Sequence, residues 1–76
     1  MTPYKNLGGN SGIVGYEISE DAIVVVFASG TCRNYLYNHN RPGKATVDEM
    51  KRLAQQGHGL NAYITTIDKD NYARKW

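Results

Sequence analysis

Ala22-Ile23-Val24-Val25-Val26-Phe27-Ala28, turned at Ser29-Gly30 and answered by Arg33-Asn34-Tyr35-Leu36-Tyr37, decides how this chain folds. The run of β-branched side chains fits the pleat of a strand, and it is apolar on both parities. Ile23, Val25 and Phe27 share one side; Ala22, Val24, Val26 and Ala28 share the other. A strand wetted on one face alternates, and this one does not, so each face of its sheet calls for a cover.

The neighbours of this strand follow from the turns around it. Ser19-Glu20-Asp21 is a polar connection from a first strand over Ile13 to Ile18, and Ser29-Gly30 leads into a third over Thr31 to Tyr37. Short connections join antiparallel neighbours, so the front half reads as a three-stranded antiparallel β-meander. On the third strand Arg33, Tyr35 and Tyr37 have the same parity. One face therefore carries a guanidinium and two phenols, which suits either half of a hydrophobic core or a stacking surface for a planar ligand.

The back half has the signals of helices. Asn38-His39-Asn40-Arg41-Pro42-Gly43-Lys44 is a loop by its Pro-Gly and its amide and imidazole side chains. Thr46-Val47-Asp48-Glu49 has the form of a capping box, Val47, Met50, Leu53 and Ala54 recur at helical spacing, and Gly57 is a stop signal. Leu60, Tyr63, Ile64 and Ile67 predict a second short helix from about Gly59, ending before Asp68 and Asp70. Tyr72 and Trp76 sit in a basic tail. The expected fold is α+β, a three-stranded meander followed by two short helices, forming a single domain over residues 13–76. Residues 1–12, with Gly8-Gly9-Asn10-Ser11-Gly12, read as an arm or loop that orders on a partner.

Size and composition narrow the functions. A domain of 76 residues buries only about 60% of the surface its unfolded chain exposes, which leaves little core to spare. The N-terminal arm, the C-terminal tail or a second copy is then the candidate cover for the second sheet face, and a homo-oligomer is expected. One cysteine, Cys32, excludes an internal disulfide, and with two histidines the usual thiolate and imidazole zinc sets cannot be assembled. No metal or other cofactor is expected. The N-terminus lacks a signal-peptide core and the longest apolar run is far short of the ~20 residues of a spanning helix, so the expectation is a cytoplasmic protein with no membrane contact.

Charge is uneven. Residues 1–40 hold two Lys/Arg against three Asp/Glu, and residues 41–76 hold seven against four. That bias is compatible with a polyanionic partner. Enzymatic readings lack a constellation: Cys32 has no histidine in a nucleophile pattern, and the pairs Glu20-Asp21 and Asp48-Glu49 fall where turn and helix-start chemistry account for them.

Ile13-Val14-Gly15-Tyr16, the apolar strand ending near Phe27, the Gly30 turn, Tyr35-Leu36-Tyr37 and Gly57-His58-Gly59-Leu60-Asn61 together resemble the KTSC family over residues 11–67. Those small domains also occur at the C-terminus of some lysyl-tRNA synthetases. The resemblance implies a β-meander with helices and a suspected RNA-binding role.

The expected function is a non-enzymatic binding module for a nucleotide-containing ligand. That ligand is single-stranded RNA, or a nucleotide-derived signal molecule sequestered at an oligomer interface, as by a phage counter-defence sponge. Arg33, Tyr35 and Tyr37 supply stacking and phosphate pairing; Asn38, His39, Arg41 and Lys44 read the ligand's edge; Gly57, His58, Gly59 and Asn61 offer backbone N–H groups to an anion. The alternative is a protein–protein interaction module that docks through the two-sided apolar strand.

Overall fold

In a computed structural model, which describes residues 1–7, 12–67 and 71–76, the chain is an α+β fold with a five-stranded antiparallel sheet and two helices. The strands are β1 (Thr2–Pro3), β2 (Ile13–Ser19), β3 (Ala22–Phe27), β4 (Asn34–Asn38) and β5 (Arg74–Lys75). They lie side by side in chain order. The helices α1 (Lys44–Gln56) and α2 (Leu60–Thr66) fall between β4 and β5 in sequence.

The expected three strands form the middle of this sheet, and two edge strands of two residues each complete it. β4 starts three residues later than the parity pattern suggests. Residues 29–33 make the connection instead, closed where the Phe27 N–H donates to the Arg33 carbonyl at 2.8 Å. The Ser19-Glu20-Asp21 turn is held from outside: the Lys51 ammonium donates to the Ser19 and Glu20 carbonyls at 2.8 and 3.0 Å, tying α1 to the β2–β3 hairpin.

Residues 1–7 are built into the domain. Thr2 and Pro3 pair with Tyr16 and Gly15, Tyr4 is buried, and the Leu7 N–H donates to the Gly57 carbonyl at 2.8 Å. The reason is Tyr4, the one buried side chain of residues 1–7, whose burial offsets the ordering of its neighbours. The glycine-rich part of the expected arm, residues 8–11, lies outside the described residues, as do Asp68 and Asp70.

Helix α1 begins two residues before Thr46. Its N-cap is Gly43, with no side-chain capping bond, and Glu49 turns away from the expected box to bond Arg52 at 2.6 and 2.8 Å. The loop sets this early start, because the Gly43 N–H is already held by the Asn38 carbonyl at 3.1 Å and the Gly43 carbonyl accepts the Val47 N–H at 3.0 Å. The stop is as expected: Gly57 takes φ of 80° and donates to the Leu53 and Ala54 carbonyls at 3.0 and 3.2 Å. A side chain there is doubly disfavoured, since a Cβ would also stand 2.6 Å from Lys5 Cβ.

Val47, Met50, Leu53 and Ala54 of α1 and Leu60 and Ile64 of α2 meet Ile13, Ile23, Val25, Phe27 and Tyr37 of the sheet in one core. Val24, Val26 and Leu36 are outside it and half-buried. Both helices thus cover the same face of β3.

Candidate functional site

Pairing register divides the sheet's side chains into two faces, because directly opposed residues point the same way. On the helix-covered face one row runs Thr2, Tyr16, Val25, Tyr35, Lys75 and the next runs Ile18, Ile23, Tyr37. On the open face one row runs Glu17, Val24, Leu36, Arg74 and the next Pro3, Gly15, Val26, Asn34. Trp76 extends that second row, exchanging backbone bonds of 3.0 Å with Asn34 in both directions.

The residues expected to share one ligand fall along β4, in the loop that follows it and at the start of α2. Tyr37 is 0% exposed and packs with the core, so its ring is no stacking platform. Tyr35 is half-buried, edge-on to Phe27 at 5.2 Å and to Tyr72 at 5.3 Å. Lys75 Nζ stands 6.0 Å from the Tyr35 ring centroid and 5.3 Å from that of Tyr72. Its ammonium is held above the usual lysine range, first by a side-chain hydrogen bond with Tyr72 and then by electrostatic attraction to Tyr72 and Tyr35. Arg33 is exposed one residue before β4.

The loop residues lie at the opposite end of β4, about 13 Å along the strand from Asn34. Asn38 Oδ1 accepts the Asn40 and Arg41 backbone N–H groups at 3.0 and 2.9 Å, so its side chain builds the turn. Arg41 Nε donates to Asn71 Oδ1 at 3.0 Å, which ties the loop to the tail. Lys44 pairs with Asp48 at 2.7 Å within α1. The His39 backbone N–H donates to the Asp21 carbonyl at 3.1 Å, while its Nε2 is buried with no hydrogen-bond partner among the described residues.

The third group is occupied by the chain itself. The Leu60 N–H at the start of α2 donates to the Tyr4 hydroxyl at 3.3 Å, and the Gly57 carbonyl holds Leu7. Gly57 is buried under Lys5. His58 is exposed, Gly59 is the left-handed N-cap of α2, and the Asn61 carbonyl accepts the Thr65 hydroxyl at 3.0 Å. Here a tyrosine 56 residues upstream meets the donor that an anion was expected to take.

The open face carries features the sequence reading passed over. Met1 lies across Gly15, where an added Cβ would come within 2.7 Å of its sulfur, so the missing side chain is what seats it. The Arg74 guanidinium sits 5.4 Å from the centroid of the Trp76 ring, which is 48% exposed. Around the half-buried Val24, Val26 and Leu36, therefore, stand Met1 and Trp76 as apolar rim residues and Glu17 and Arg74 as charged ones. The alternation Tyr72-Ala73-Arg74-Lys75-Trp76 was the available signal for β5: an aromatic at each end of two cations.

Comparisons with protein-family models, curated proteins and solved structures return no match to this chain. No helix among the described residues is long and apolar enough to cross a membrane.

Proposed function

We propose that the protein is a non-enzymatic interaction module that docks another protein on the open face of its sheet. The observation that carries this reading is the set Val24, Val26 and Leu36, neighbours on adjacent central strands and outside the core that the helices close. These side chains are already half-buried, so sealing them against a partner recovers only the remaining part of the about 1.5–3 kcal/mol that full burial of each is worth. The rim around them is mixed in charge and includes an exposed tryptophan, the residue type most often central to protein contacts.

A photo-crosslinking amino acid tests the reading in cells expressing the chain. Placed at Val24 it is expected to give discrete protein adducts, and placed at Gln55, exposed on α1, it is not. Absence of adducts from position 24, or equal adducts from both positions, sinks the proposal.

A nucleotide-containing ligand is the second reading, favoured by the Tyr35, Tyr72 and Lys75 cluster with Arg33 beyond it, and by what the KTSC resemblance implies. There a base would lie on Tyr72 and a phosphate would meet Lys75 and Arg33. Its measurement is the binding of a single-stranded RNA oligonucleotide against salt concentration. Affinity that falls steeply with salt and is lost in Lys75→Ala favours it, and no affinity at low salt removes it.

A further inference from the structure

We propose that the occupant of the open face is a second copy of this chain, related to the first by a two-fold axis parallel to the strands and lying above the line between β3 and β4. The proposal rests on the reading of that face as an interaction surface and adds the identity and orientation of the partner.

A symmetric dimer needs a surface complementary to itself. The row Glu17, Val24, Leu36, Arg74 has that property: an acid at one end, two apolar side chains in the middle, a base at the other end. Rotation about an axis along the strands reverses the row. Glu17 of one copy then stands over Arg74 of the other, twice, and Val24 stands over Leu36. Rotation about an axis across the strands leaves the row unreversed and sets Glu17 against Glu17 and Arg74 against Arg74. With the axis above this row in both cases, electrostatics favours the first arrangement over the second.

The neighbouring row gives the same answer by shape. Reversal brings Trp76 over Gly15, the barest position of the open face, where the Met1 thioether lies. A sulfur against an aromatic ring is a favourable contact, and the same reversal sets Val26 of one copy over Asn34 of the other. Facing sheets pack about 10 Å apart with strands within about 30° of parallel, a gap that glutamate and arginine side chains bridge from opposite sides. The Trp76 ring beside it holds the Arg74 guanidinium on this face.

The experiment is sedimentation of the purified 76-residue chain over a concentration series, with far-ultraviolet circular dichroism to confirm folding. The expected mass is twice the 8.5 kDa of one chain. Leu36→Lys is expected to weaken the dimer by about thirtyfold or more, as loss of a central contact does. Glu17→Arg and Arg74→Glu each weaken it by a few-fold to about tenfold, and the double reversal returns the wild-type affinity. Both reversals are at exposed positions, so they remain informative if Leu36→Lys fails to fold.

A wild-type chain that stays monomeric to its solubility limit overturns the second copy; the interaction reading then stands or falls on whether Val24 still yields adducts to other proteins. A dimer indifferent to a folded Leu36→Lys overturns the choice of face. Single reversals that weaken the dimer without rescue in the double overturn the two-fold described here.

Discussion

Tyr35 and Tyr37 are two residues apart on the same side of one strand, yet only Tyr37 is sealed. Their shared parity was legible from the sequence because strand geometry alone sets it. Which ring the helices would cover was not, because that depends on where α1 crosses the sheet. Tyr37→Ala is expected to cost about 3–5 kcal/mol in urea denaturation, the range for removing a large core ring. Tyr4 behaves differently from either. Its phenol serves as the acceptor for the first N–H of α2, so Tyr4→Phe keeps the packing and removes one buried hydrogen bond, an expected loss of about 1 kcal/mol, more if the Leu60 N–H is left unsatisfied. Nothing near Tyr4 in the sequence announces this pairing, since the donor is 56 residues away.

At the scale of the element, α1 displays which local signals survive folding. The stripe Val47, Met50, Leu53, Ala54 is buried as its spacing requires, since it is the one face the helix can offer the sheet. The capping box did not form, because the loop, closed by the Gly43 N–H donating to the Asn38 carbonyl, begins the helix before Thr46. Asp48 and Glu49 are instead paired along the helix surface with Lys44 and Arg52. Those side-chain hydrogen bonds, from Lys44 to Asp48 and from Arg52 to Glu49, hold both carboxyls below their ordinary 3.8 and 4.5. A lowered folded pKa means a contribution present above the ordinary values and lost as pH falls through the folded ones. The melting temperature of the wild type should therefore drop more on acidification than that of Asp48→Asn/Glu49→Gln, which calorimetry between pH 5 and lower values reads directly. At the other end of the helix, Gly57→Ala should cost more than the ~1 kcal/mol of a left-handed position alone, because the new Cβ meets Lys5 as well. Hydrogen exchange at Leu7, whose N–H is bonded to Gly57, reports whether that variant lifts the first strand.

For the whole molecule, the two-sided apolar strand foretold that each face of the sheet wants a cover, and the helices supply one. A cover for the other is not in the periodicity of any segment, and the need for one is legible only in the apolar residues themselves. Of the residues expected to bind a ligand, Tyr37 is sealed in the core, Asn38 builds its own turn and the start of α2 is taken by Tyr4, while Tyr72 and Lys75 join Tyr35 from the C-terminal segment. If two copies pair through the open face, the thermal midpoint of the wild type rises with protein concentration while that of Leu36→Lys does not, by mass action on the folded dimer. A midpoint independent of concentration contradicts it.

The chain-order sheet ends in two very short strands, and these decide what kind of assembly is open to it. One edge holds Pro3, which has no N–H to offer an incoming strand, and the other holds Arg74 and Lys75, whose charges repel their own kind. Neither end is a template for growth. A sheet terminated in this way resists edge-to-edge lengthening, so its apolar central strand is shielded from the growth that would seed fibres in an open-edged protein.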